Sequence, residues 1–298
     1  MHLIKKILKS IPLFKNAYAK IKRNQSDRCS IEQQLQKNLM SYWLSFGKKR
    51  IIYKDIKDAG FRCYSQFEED GIILYLLCMV GIKTKKVVEI CCGNGFESMS
   101  ANLILNHGFK AYLFEGDKNN IDIAKSFFAS QKDCLLVRPN FNQSWITRAN
   151  INKLLLDSGA EGEVDVLSLD MDGNDYYIWE AINVINPRIC VFETNNIIPY
   201  DKSITIPYDE NFFAINKTGA KKEFLSVSLA AMNKLSQKKG YTLVGSHKHG
   251  FNIFYVRNDL LSDILPKPTL KDIHNNEYTM HSQKEKWPLV KDFPWVEI

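Results

Sequence analysis

Carboxylates recur at the ends of apolar runs in this chain of 298 residues. Val87-Val88-Glu89-Ile90 leads through Cys91-Cys92 into Gly93-Asn94-Gly95. Ala111-Tyr112-Leu113-Phe114 ends in Glu115, the run 164–169 delivers Asp170 and Asp172, and the run 189–192 ends in Glu193. Ligands of open α/β sheets bind beyond the carboxyl ends of the strands, so a carboxylate there can hold a cation, grip a pair of hydroxyls or take up a proton. Gly93 and Gly95 permit positive φ and close approach of a ligand to the backbone, beside the unpaired N–H groups of a helix start.

The glycines alone would also serve a tight turn, and Glu89 is what favours a ligand. A dinucleotide fingerprint requires G-x-G-x-x-G, whereas Ser98 holds the third place and Glu89 would repel a pyrophosphate. A carboxylate beside a glycine turn suits a cofactor bearing an ammonium group, S-adenosylmethionine rather than NAD. Glu115 follows Glu89 by 26 residues, one strand-helix-strand unit, where a carboxylate takes both hydroxyls of a ribose. Gly116 and Asp117 continue that cofactor turn, and Asn140 is read either as an adenine contact or as a turn residue.

Asp170, Asp172 and Glu193 are the candidate catalytic residues. Clustered carboxylates raise one another's pKa, which makes one of them a better base near neutral pH for a hydroxyl undergoing group transfer. With Asn195, a candidate substrate contact, the same cluster could instead hold Mg²⁺ or Mn²⁺. One of Asp172, Asn174 and Asp175 suffices to cap the next helix, and the other polar groups exceed that need.

Strands expected at the apolar start of the stretch 85–98 and at 111–115, 134–138, 164–170 and 188–193 alternate with helices at 96–106, 119–130, 147–157 and 175–185, which implies parallel β-α-β units. Terminal strands at 241–245 and 252–257 complete a doubly wound, seven-stranded, mostly parallel Rossmann-like sheet. Ser65 with Glu68 makes a capping box for a helix entering the core. Residues 199–222 lack periodicity and are expected to form a substrate loop or lid.

On these residues the chain resembles the Rossmann-like S-adenosylmethionine-dependent methyltransferases, and more narrowly the FkbM-type group. Glu89-Ile90-Cys91-Cys92-Gly93-Asn94-Gly95 corresponds to acidic-x-G-x-G-x-G with Cys91 at the first glycine position, and the stretch 168–179 is similar to the family's fourth motif. Ser65-Gln66-x-x-Glu69-Asp70 looks like the segment before the first motif, which implies a cofactor contact by Gln66. Ile206-Pro207-Tyr208-Asp209 resembles a family segment, and Tyr208 is assigned to the substrate side. The likeness spans roughly 61–259, with Lys221-Lys222-Glu223 and His247-Lys248-His249 departing from it, the histidines being expected on a solvated loop. It implies S-adenosylmethionine-dependent O-methylation of a sugar or other small polar metabolite, as in surface-glycan or capsule biosynthesis. The alternatives are a methyltransferase-like subunit that binds a partner without catalysis, and an NAD-linked oxidoreductase.

The net charge of +7 resides in residues 1–26, whose seven Lys and Arg meet no acid. The neutral remainder argues against a nucleic-acid partner. The segment 1–26 is a basic amphipathic arm, suited to peripheral contact with an anionic membrane or to packing on its own domain or a second subunit. Seven cysteines without a C-x-x-C pair point to a reducing cytoplasm and away from a metal centre of the zinc type. The expected organisation is an arm and helical extension over 1–60, a cofactor-binding domain over 61–259, and an irregular strap over 260–298.

Overall fold

The computed structural model describes residues 31–46, 51–135, 137–214 and 218–298. The basic arm lies outside the described residues. Contacts divide the chain between Ser45 and Phe46. The N-terminal unit is described from residue 31, as a helix (α1) over 31–46.

In the second unit, helix α2 (Glu69–Val80) precedes strand β1 (Lys86–Ile90), followed by α3 (Ala101–His107), β2 (Lys110–Glu115), α4 (Lys118–Ser130), β3 (Asn140–Gln143), α5 (Ile151–Ser158) and β4 (Gly162–Leu169). Then come α6 (Asp175–Ala181), β5 (Ile185–Glu193), β6 (Ile204–Thr205), α7 (Leu229–Lys238), β7 (Tyr241–Ser246), β8 (Asn252–Arg257), α8 (Leu270–His274), α9 (Glu277–Val290) and β9 (Val296–Glu297). The seven-stranded sheet runs β3-β2-β1-β4-β5-β8-β7, with β8 running antiparallel to both β5 and β7. This is the expected doubly wound sheet, with the strand order reversing between β1 and β4. Val87, Val88 and Ile90 of β1 and Val164, Val166, Leu167 and Leu169 of β4 are buried on both faces, the pattern of central parallel strands.

The third strand departs from expectation. The apolar run around 134–138 holds a 3-10 turn at Lys132–Cys134 and the exposed Leu135 and Val137, while the strand itself is the polar Asn140–Gln143. It lies at the sheet edge and is half exposed, so it needs no apolar signature. Within residues 51–60, expected in the helical extension, the structure has a 3-10 turn at Ile56–Ala59, with Ile56 against Gly245 of the sheet. The tail expected to be irregular contains α8, α9 and β9, the last pairing with β6. Ser65 does not form a capping box with Glu68. Its Oγ accepts the Asp70 N–H, and Asp70 Oδ2 accepts the N–H groups of Cys63, Tyr64 and Ser65 at 2.6–2.9 Å.

Candidate active site

A cavity of about 440 Å³ opens at the carboxyl edge of the sheet, between the residues that follow β1 and those that follow β4. Gly93 takes φ +54, and a Cβ there would meet nothing within 4 Å, so its backbone faces open space. The Gly93 N–H donates to Glu115 Oε2 and the Asp117 N–H to Glu115 Oε1, both at 2.8 Å. Asp117 in turn caps α4 by accepting the Asn120 N–H. One carboxylate thus fixes the glycine turn against the end of β2 and keeps lone pairs for a further donor. Two non-glycine residues with positive φ, Cys91 and Asp172, line the same cavity. Backbone held this way costs about 1–3 kcal/mol per residue and clusters at ligand sites.

The other wall carries the acids. One carboxylate oxygen from each of Asp170, Asp172 and Glu193 lies within 4.8 Å of the others. Burial and the neighbouring Asp172 carboxylate lift Asp170 to about 7, against which a hydrogen bond from Glu193 acts. Burial, then the charges of Asp170 and Asp172, raise Glu193 well above the usual carboxylate range. Burial and mutual repulsion thus raise both carboxyls, which favours holding a proton within the cluster. Asp172 is raised by the protein around it, although its side chain reaches solvent in the cavity. Asp175 places this wall: its Oδ1 accepts the Met171 N–H at 2.8 Å and its Oδ2 the Gly173 N–H at 2.9 Å. Burial lifts Asp175 to about 6.

The segment expected as a lid closes the cavity with Phe212, Phe213 and Ala214. Trp145 Nε1 donates to Glu210 O at 2.7 Å and Asn174 Nδ2 to Asp209 O at 2.8 Å, while the Tyr208 hydroxyl accepts the Arg148 N–H at 2.9 Å. The Trp145 and Phe213 rings meet edge to face at 6.0 Å. Both aromatics that cross the cavity rest on glycine: a Cβ on Gly116 would lie 2.9 Å from Trp145, and one on Gly173 2.3 Å from Phe212.

Of the residues singled out in the sequence, the cavity gathers Gln66, Gly93, Asn94, Glu115, Gly116, Asp117, Asp170 and Asp172, with Glu193 behind Asp170. Others stand elsewhere. Glu89 is 4% exposed and does not line the cavity. Its carboxylate accepts the Met99 and Ser100 N–H groups and the Ser98 and Ser100 hydroxyls, so it organises the turn into α3, and Ser98 serves the same network. Burial raises the Glu89 pKa. Gly95 faces Ala124 and Phe128 of α4. Asn140 is the first residue of β3 and donates to Ser158 O. Asn195 is tied to Glu223 O and Leu225 O, and Tyr208 anchors the lid against Tyr177 at 5.2 Å. Trp145, Phe212 and Phe213 line the cavity without having been singled out, because their contacts to it are long-range and carry no local spacing signal.

No protein-family model and no curated protein matches the chain. Solved structures overlay on it at low identity. An S-adenosylmethionine-dependent methyltransferase from Clostridium acetobutylicum ATCC 824 shares 10% identity over 61% of this chain and 87% of its own, with a TM-score of 0.39. The magnesium protoporphyrin IX methyltransferase of Synechocystis PCC 6803, solved with bound SAM, shares 14% over 63% and 77%, with a TM-score of 0.39. The CcbJ methyltransferase of Streptomyces caelestis shares 13% over 63% and 94%, with a TM-score of 0.40. Overlays this loose carry no argument about activity, which rests on the site itself.

Proposed function

We propose that the chain is an S-adenosylmethionine-dependent methyltransferase that methylates a hydroxyl oxygen of a sugar or another small polar metabolite. The observation that carries this reading is the meeting, in one cavity, of a glycine-carboxylate cradle and a carboxylate cluster that holds an ionisable base. Glu115 has lone pairs for a ribose diol, Trp145 and Phe213 offer ring surface to a base, and Asp170 and Asp172 attract a cationic ligand when ionised. The donor set therefore fits S-adenosylmethionine, which supplies, when bound, an electrophilic methyl group on a sulfonium. Asp170 takes the acceptor's hydroxyl proton, Glu193 beside it helps set the pKa of Asp170, and the lid excludes water.

The resemblance of residues 61–259 to the FkbM-type group supports a place in surface-glycan or capsule assembly in the cytoplasm. Among the described residues no helix is long and apolar enough to cross a membrane, and contact with an anionic membrane is assigned to the arm over 1–26. Calorimetric titration with S-adenosylhomocysteine tests the proposal. Heat of binding at micromolar concentration is expected, and none from a folded protein overturns it. Binding without turnover of any hydroxylated acceptor favours a partner-binding subunit instead.

A further inference from the structure

The sequence left His247-Lys248-His249 as a solvated loop, and the structure shows otherwise. His247 is 1% exposed, and its ring packs with Phe67, His249 and Phe251 at centroid distances of 5.5, 5.5 and 4.3 Å. His249 meets Phe67 at 4.7 Å and Tyr278 at 5.0 Å. Phe67, His249 and Phe251 are half-buried and Tyr278 is exposed, so the cluster offers ring surface to solvent. Its backbone is held from several sides. Lys248 N–H donates to Glu68 Oε1 at 2.7 Å, and His249 O accepts the Thr279 hydroxyl at 2.9 Å.

The position of the cluster follows from the sheet. Asn252 of β8 stands opposite Glu193 of β5, and the Thr194 N–H donates to Phe251 O at 2.8 Å. The loop 247–251 therefore rises at the same carboxyl edge as the acids, on the side away from Gly93 and Glu115. Phe67 directly follows Gln66, which lines the cavity. His247 Nδ1 accepts the Asn252 N–H, so the neutral ring carries its proton on Nε2, which is buried without a hydrogen-bond partner. Burial holds His247 down to about 4, which keeps that ring neutral at physiological pH.

We propose that the cluster of Phe67, His247, His249, Phe251 and Tyr278 is the acceptor subsite and that its ligand is a saccharide. A pyranose presents an apolar C–H face and a rim of hydroxyls. The rings supply a matching apolar surface, and Glu68, Lys248 and the acids beside Glu193 supply polar partners. This assignment rests on the methyl-transfer reading, and the test separates the two.

Full-length protein loaded with S-adenosylhomocysteine is examined by saturation-transfer NMR against methyl glycosides of glucose, galactose, mannose and rhamnose. At least one is expected to receive saturation, strongest on its ring C–H protons. Phe251→Ala and the surface change Tyr278→Ala are each expected to weaken it about fivefold or more while S-adenosylhomocysteine affinity stays within about twofold. No transfer to any glycoside, or equal transfer in both variants, overturns the subsite. Should S-adenosylhomocysteine fail to bind, the cofactor reading falls, and the same glycoside spectra on the unloaded protein still decide the ring cluster.

Discussion

Phe212 lies so close over Gly173 that a Cβ on the glycine would sit 2.3 Å from the ring. The lid and the turn bearing Asp172 are therefore one fitted surface. Gly173→Ala is expected to displace Phe212 and lower S-adenosylhomocysteine affinity about tenfold, or ~1.4 kcal/mol, with the fold retained. Calorimetry with parallel circular dichroism checks both halves.

The proposed base catalysis by Asp170 implies a pH dependence. The carboxylate must be ionised to accept a proton, and its pKa is lifted to about 7, so kcat/KM should rise with pH through about 7 and then level off. Asp170→Asn should lower kcat by about 100-fold or more. Burial and the neighbouring acids raise Glu193, so Glu193→Gln, which mimics its protonated form, should leave the profile in place. Glu193→Ala removes the hydrogen bond that lowers Asp170 and should move the rise to higher pH. A profile that ignores both Glu193 variants would argue against coupling between Glu193 and Asp170.

Glu89 is expected to matter for stability before chemistry. Glu89→Ala strands the buried Met99 and Ser100 N–H groups and should cost ~3 kcal/mol, each unsatisfied group contributing about 1–3 kcal/mol. Thermal unfolding would show this as a lowered midpoint, whereas affinity for S-adenosylhomocysteine, measured below the transition, should change less.

Activity is expected to survive EDTA, because burial and mutual repulsion raise Asp170 and Glu193 and so favour a proton, rather than a cation, between them. Loss with EDTA and recovery with Mg²⁺ or Mn²⁺ would instead assign the oxygens of Asp170, Asp172 and Glu193 to a cation.

The central sheet was legible because buried parallel strands must be apolar throughout, and each of its critical acids breaks such a run at the ligand-binding edge. The placement of Glu115, Asp170 and Asp172 at the cavity was legible that way. The edge strand Asn140–Gln143 was not, since half-exposed pairing imposes no apolar pattern. Glu89 looked like a ligand for the same reason as Glu115. The difference is direction: Glu115 turns to the Gly93 amide beside the cavity, and Glu89 turns to the amides at 99 and 100. Trp145 and Glu210 are 65 residues apart, a pairing that no local periodicity encodes.

The inward turn of Glu89 bears on how such chains diverge. A descendant released from catalysis would still need the Glu89 network to fold and Gly95 to pass α4, so selection for a folded product alone would preserve both. Asp170 and Asp172 cost the fold something and would be the first to drift. Retention of the glycine turn thus reports ancestry, and the acids after β4 report whether the chemistry is still in use.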